Sequence, residues 1–330
     1  MKSCIAVDLG GTKMLVSEVL EDGTVCHVYR VATRDVSWAE KIEDIILAVR
    51  AYEAEYGFTD GKQPDCIGIG INGWVDPEKG LWLDYEQIHE FDVPVISRIE
   101  EAFPGIRCVI DNDVKCTVMA ENIFGAGKGM RNMMYLNAGT GIAIGLIAGG
   151  KLVRGSDNWA GEVGFMKLWH PDLPYLQNPA DTAENLKEPR LNELEMTSSG
   201  MAIPYQAKRL LHLYPDSLLK EPLEDGSLNG QILLQAAEAG DALAERILDA
   251  LAAGLGNVIT SCVTITSPEA VIIGGGLIQD EQMLKRIRSK VTDKALSHLE
   301  KGILLTGLDP NFAGLMGAAA LGLGYQEIYR

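Results

Sequence analysis

DLGGTK, residues 8–13, sits between the apolar runs Cys4-Ile5-Ala6-Val7 and Met14-Leu15-Val16. Ile5–Val7, Met14–Val19 and Thr24–Tyr29 read as three strands, the last two joined by a tight Asp22-Gly23 turn, so Gly10-Gly11 closes the first hairpin of a meander. A hairpin turn takes glycine for its positive φ, and that alone says nothing of a ligand. The pattern recurs, however: Met133–Asn137, a Gly139-Thr140-Gly141 turn, Ile142–Ala148, a Gly149-Gly150 turn and Lys151-Leu152-Val153. Two copies of strand, Gly-Thr turn, strand, glycine turn, strand point to an internal duplication. Two separate Gly-Thr turns suit a divided grip on one polyphosphate.

Between and beyond the repeats the periodicity changes. Trp38–Tyr56 is helical, with Ile42, Ile45, Ile46, Val49 and Tyr52 on one face. Cys66–Ile71 is a strand, and Arg107–Ile110 is another that runs into Asp111-Asn112-Asp113, with a helix starting around Val114–Phe124. Residues 169–195 read as an irregular excursion. Gln231–Val258 carries a broad apolar stripe of helical spacing, Ala270–Ile273 is a buried strand ending in Gly274-Gly275-Gly276, and Phe312–Leu323 is a closing helix of small residues. The class is α/β in two halves with a cleft between them.

The 330 residues, 47% hydrophobic, suffice for one large or two medium cores, and length favours two domains. A formal charge of -17 repels nucleic acid and anionic membrane, so neither is an expected partner and any anion must be gripped locally. Cys4, Cys26, Cys66, Cys108, Cys116 and Cys262 form no C-x-x-C pair and read as buried free thiols of a reducing compartment. Met1-Lys2-Ser3 leads straight into a strand, and no run of about 18 apolar residues occurs, so a cytoplasmic protein without signal peptide or membrane span is expected.

The chemistry follows from the turns. Phosphate oxygens want several N–H donors at once, and glycine lets backbone amides converge because no Cβ intervenes. Gly10, Gly11, Thr12 and Lys13 offer one such nest and Gly139, Thr140 and Gly141 another, while Asp8 at the strand end is suited to hold Mg²⁺ through water. Each hydrogen bond to a charged partner contributes about 1.5–3 kcal/mol, enough for a few to outweigh the screened long-range repulsion. Gly275 and Gly276, after a buried strand, permit close approach of a flat group or ribose; taken alone they read as a tight strand-to-helix connection, and the order of the three glycine motifs favours the ligand. In an extended chain Asp111 and Asp113 face one side and Asn112 the other, although helix capping explains one carboxylate without any catalysis. Asp113, directly before the helix, is the candidate base.

DLGGTK, a G-x-G-x-x-G-x-x-D stretch (Gly68 to Asp76), IDND, AGTGIA, AGEVGF, IIGGG and AGLMGAA occur in the order seen in the ROK family (repressor, ORF, kinase) of bacterial sugar kinases, which the chain resembles over nearly its whole length. The resemblance implies a duplicated actin-like ATPase (ribonuclease H-like) fold whose two lobes close on sugar and ATP, and transfer of the γ-phosphoryl group to a sugar hydroxyl, usually the 6-OH. It implies a smaller lobe of residues 1–112 plus 313–330 with the first phosphate loop, a larger lobe of 113–312 with the second loop and the adenosine site, and a homodimer. By position, Asp8 and Gly10–Lys13 serve phosphates and Mg²⁺, Gly139-Thr140-Gly141 the second phosphate loop, and Gly275 and Gly276 the nucleotide. Gly73, Asn112, Asp113, Glu162 and Glu195 match sugar-binding positions, the last through the spacing of Glu195-Met196-Thr197-Ser198-Ser199-Gly200. Asp113 matches the catalytic base, which aligns the hydroxyl and removes its proton late in a loose transition state.

The chain departs from the family pattern at several places. Phe165 stands where many members carry a zinc-binding histidine, and the three cysteine places fall on Leu186, Glu188 and Glu193, so no zinc is expected. A lone His170 near by reads as a surface residue. Phe165 makes an apolar wall that suits a substituted sugar, as in the β-glucoside kinase branch; packing where zinc once organised the loop, in a kinase for plain hexose, is the simpler expectation. Asn72 replaces a usual proline, Lys115 the second Asn of N-D-x-N, and Gln87 sits about where an Asn reaches a sugar hydroxyl. Lys115 either pairs with Asp113, weakening the base, or is solvated on the first helical turn. Two other readings stand beside the kinase: a sugar sensor that has lost turnover, and a repressor, for which only Met1–Cys4 stand ahead of the first phosphate motif.

Overall fold

The computed structural model describes residues 1–83, 92–167, 193–278 and 281–324. Contacts divide the chain into two units, one of Met1–Arg131, Gly145–Ala160 and Thr306–Arg330, the other of Asn132–Ile144 and Gly161–Leu305.

The first sheet is built from β1 (Ser3–Leu9), β2 (Lys13–Leu20), β3 (Val25–Ala32) and β4 (Cys66–Ile71). A small antiparallel sheet of β5 (Trp74–Asp76), β6 (Leu81–Leu83) and β7 (Val93–Pro94) follows β4. Then β8 (Arg107–Asn112) completes the first sheet in the order β3-β2-β1-β4-β8. The repeat supplies β9 (Met133–Ala138), β10 (Ile142–Ala148) and β11 (Lys151–Leu152), and β12 (Ala270–Gly274) and β13 (Gly302–Leu305) extend that sheet to β11-β10-β9-β12-β13. Position for position the two orders coincide, which is how the repeated Gly-Thr grammar appears in three dimensions.

Strand alternation decides which side chains meet which layer. On the first sheet Ile5, Val7, Ile67, Ile69, Cys108 and Ile110 face the core completed by Trp38–Tyr56 and Val95–Ala102, while Cys4, Ala6, Leu15, Val19 and Cys66 pack on Leu315, Ala318 and Ala319 of the closing helix Ala313–Gly322. On β4 that second face continues from Cys66 to Gly68, where a methyl group would stand 2.0 Å from the Ala318 carbonyl oxygen. Only a residue without a side chain lets the helix seat so deeply. Ser37 caps Trp38–Tyr56 with a reciprocal Glu40 contact, a capping box that fixes where the helix starts.

Several expectations change. The apolar stripe over Gln231–Val258 is two helices, Gly230–Glu238 and Ala242–Thr266, because Gly240 takes φ +86 and Asp241 caps the second by accepting from Ala244 N at 2.8 Å. Helix Ala242–Thr266 is also, by length and composition, apolar enough to cross a membrane, although it has no unbroken apolar run. Leu, Ile, Val and Ala carry its mean hydropathy to 1.5, and 67% of that window is buried inside the protein. Cys26 is half-buried rather than buried, and all six cysteines are free. Gln87, His170, Leu186 and Glu188, and the irregular excursion apart from Glu193, Leu194 and Glu195, lie outside the described residues.

Candidate functional site

In the first unit the expected residues gather at the carboxyl ends of three neighbouring parallel strands. Leu9, Ile71 and Asn112 stand in register across β1, β4 and β8. The chain beyond each is the Gly10–Lys13 turn, Asn72-Gly73, and Asp113. Gly10 closes its turn by donating its N–H to the Lys13 carbonyl (3.1 Å), and Thr33 braces it through Oγ1 to Gly10 O (2.8 Å) and N–H to Thr12 O (3.1 Å). Gly10's amide is therefore spent on the turn, while Gly11, Thr12 and Lys13 are exposed.

Asp8 shares the face of Cys4 and Ala6 and so points at the closing helix, where a methyl group on Gly314 would come within 2.3 Å of its Cγ. Among the described residues its carboxylate makes no hydrogen bond. Burial pushes its pKa up to about 6, against a smaller lowering by Lys13.

Asn112 starts the helix Asp113–Ile123 as its N-cap, Oδ1 accepting from Val114 N (3.0 Å) and Lys115 N (3.2 Å), while Nδ2 donates to the Gly73 carbonyl (3.0 Å). Among the described residues, one hydrogen of its amide is left over. Gly73 sits at φ +118, and a methyl group there would stand 3.2 Å from Trp82 Nε1, which is buried and stacked, through its ring, on Trp38 at 4.5 Å. Half-buried Asp113 is the first helical residue, its Oδ1 accepting from Val114 N at 2.9 Å.

Two alternatives that the sequence left open are decided here. Asp111 does not join Asp113: its Oδ2 pairs with Arg154 Nη1 at 2.5 Å and its Oδ1 accepts from Asn158 Nδ2 at 3.2 Å, because the helix begins at Asp113 and ends the strand alternation. Lys115 is buried, not solvated, since every residue from Val114 to Asn122 is enclosed. Sequence reasoning missed Arg154 and Asn158 altogether. Asn158 also donates to Val75 O at 2.8 Å, Arg154 Nη1 donates to Asn158 Oδ1 at 3.2 Å, and Trp74 Nε1 donates to Asp157 O at 2.6 Å. The signal available was Gly155, at φ +75, inside a polar run after β11, with Asn158 itself at φ +63.

In the second unit Gly139-Thr140-Gly141 follows β9 and repeats the device of the first turn, Gly139 N–H donating to Gly141 O at 3.0 Å. Gly200 N–H donates to Gly139 O (2.8 Å) and Met201 N–H to Thr140 O (3.2 Å), so the Ser199-Gly200-Met201 bend, not foreseen from sequence, braces the turn. Gly275 adopts φ +102 over the Ala138 backbone, and Gly276 is exposed with open space where a side chain would be. Glu195, in the short helix Leu194–Ser198, lies with Oε1 2.6 Å from where a methyl on Gly141 would stand and 3.3 Å from one on Gly164, and accepts from Ile142 N at 3.4 Å. Glu162 and Phe165, both half-buried, flank Val163-Gly164. Glu162, Phe165 and Glu195 thus belong with the second turn, as Asp8, Gly73, Asn112 and Asp113 belong with the first.

Residues 4–324 match the ROK family, and the chain belongs to it. It is 29% identical over 321 residues to a glucokinase of Thermotoga maritima, covering 96% of each chain. It is 25% identical over 327 residues to a β-glucoside kinase of Klebsiella pneumoniae, covering 98% of this chain and 96% of that one. Among solved structures, a ROK family glucokinase from Streptomyces griseus in complex with glucose and AMPPNP superposes with a TM-score of 0.73 at 28% identity, covering 97% of this chain and 99% of that chain. The fold is accordingly the α/β actin-like ATPase fold of ROK kinases.

Proposed function

We propose that this chain is an ATP-dependent carbohydrate kinase that transfers the γ-phosphoryl group to the 6-hydroxyl of a hexose, with Asp113 as general base. The observation that carries the reading is the shared register of Leu9, Ile71 and Asn112, which sets a phosphate-type glycine turn and a helix-starting aspartate at strand ends on either side of β4 in one sheet. The likeness to a glucokinase with glucose and AMPPNP bound supports it.

In the step itself the acceptor oxygen bonds to phosphorus, the bond from phosphorus to the ADP oxygen breaks, and the hydroxyl proton passes to Asp113. The two Gly-Thr turns share the nucleotide's phosphates, Gly275 and Gly276 its adenosine, and Gly73, Asn112, Glu162 and Glu195 the sugar. Asp8 fits a Mg²⁺ role held through water: a desolvated carboxylate with no hydrogen bond among the described residues is the kind of group that a cation stabilises. Bound there, Mg²⁺ would neutralise charge on the phosphates. The reading includes a cytoplasmic homodimer without zinc and, at a net charge of -17, without nucleic-acid or membrane partners.

A second acceptor class, a β-glucoside, is favoured by Phe165 beside Glu162 and by the relatives that bear that activity. The test is ADP release with ATP and Mg²⁺ across hexoses and β-glucosides. Turnover of hexose alone supports the main reading, faster turnover of glycosides the second, and sugar binding without any turnover leaves a sensor.

A further inference from the structure

One polar side chain at the strand ends has no role in the account above. Asn72 follows the middle strand of the registered trio, so it is flanked by the Gly10 turn on one side and Asp113 on the other. Its main chain is fixed, the N–H donating to Leu9 O at 3.2 Å. Its side chain is exposed and makes no hydrogen bond among the described residues. The amide is turned toward the glycine turn: a methyl group on Gly11 would lie 4.0 Å from Asn72 Nδ2.

Resting on the kinase reading, we infer that Asn72 is a further catalytic residue, whose Nδ2 donates to an equatorial oxygen of the phosphoryl group in flight. In-line transfer requires the donor oxygen, the phosphorus and the acceptor oxygen on one axis. With the glycine turn at the donor end and Asp113 at the acceptor end, the residue between them faces the equatorial oxygens. Those oxygens carry the negative charge of a loose transition state, where a preorganised N–H contributes most. A neutral amide suits the place, since a carboxylate there would repel the phosphoryl oxygens. The main-chain bond to Leu9 holds the side chain on the axis without using its donor.

The experiment compares full-length wild type, Asn72→Ala and Asn72→Asp for kcat, sugar KM, and ATP and ADP affinity by calorimetry. Asn72→Ala should lower kcat roughly 10²-fold, leave sugar KM and melting temperature unchanged, and weaken ATP but not ADP. Asn72→Asp should be slower still. Unchanged kcat in Asn72→Ala, or a rise in sugar KM alone, overturns the role while leaving the kinase reading intact. Wild-type protein that binds no nucleotide and turns over no sugar overturns the kinase reading and this role with it.

Discussion

Asp111 and Arg154 are joined by an ion pair of 2.5 Å, the carboxylate sealed at 1% exposure and the guanidinium at 26%. The pair ties the last residues of β8, directly before Asp113, to the loop after β11, and Asn158 completes the carboxylate's partners. Removing one member leaves a buried charge uncompensated, which costs about 3–5 kcal/mol. Arg154→Met should therefore lower stability by roughly that amount in urea unfolding, whereas Arg154→Met with Asp111→Leu should recover much of it. Equal loss in both variants would mean that the pair is not what holds the loop.

Asp113→Asn keeps the shape of the first helical residue but cannot take a proton. Turnover should fall by more than about 10²-fold, with sugar and ATP binding retained in calorimetry. Near-normal turnover would remove Asp113 from its role.

Asp8 gives a pH dependence with a defined sign. Its folded pKa of about 6 lies above the ordinary 3.8, so the native state holds the proton more tightly than the unfolded chain. That contribution is fully present below about pH 4 and is lost as pH rises through 6. Without metal or nucleotide, Asp8→Asn should be more stable than wild type at pH 7.5, by up to about 3 kcal/mol, and the gap should close as pH falls to 4. Adding Mg²⁺ and ATP should stabilise wild type far more than the variant. A gap that persists at pH 4 would mean that desolvation of Asp8 is not its source.

Gly68→Ala forces a methyl group to within 2.0 Å of the Ala318 carbonyl oxygen. Overpacking of this kind costs typically 1–3 kcal/mol or more, and here it falls on backbone, which yields least. Thermal unfolding should show a clear loss, while Gly105→Ala, where nothing stands within 4 Å although φ is +87, should show only backbone strain. Comparable losses would argue against deep seating of the closing helix.

Most of this architecture was legible because it is periodic. The strands around DLGGTK, the helix Trp38–Tyr56 and the start of the helix after Asn112 follow from alternation, apolar spacing and a capping residue, each a local signal. What escaped was long-range. Arg154 meets Asp111 across forty-three residues, and nothing near either marks the other. For Lys115 the sequence left pairing with Asp113 and solvation on the first helical turn both open, because enclosure of a helix on all sides is a property of its neighbours. The glycine at 68 is plain in the sequence, but its reason, the Ala318 carbonyl, is supplied by the far end of the chain. The break at Gly240-Asp241 was local and was overrun by a strong apolar stripe on either side.

The closing helix covers Cys4, Ala6, Leu15, Val19 and Cys66, all of which are translated well before it. On the ribosome the first sheet must therefore wait with one oily flank bare until Ala313–Gly322 emerges. A nascent chain halted before that point would offer this flank to chaperones and proteases, and no N-terminal fragment would make a finished half.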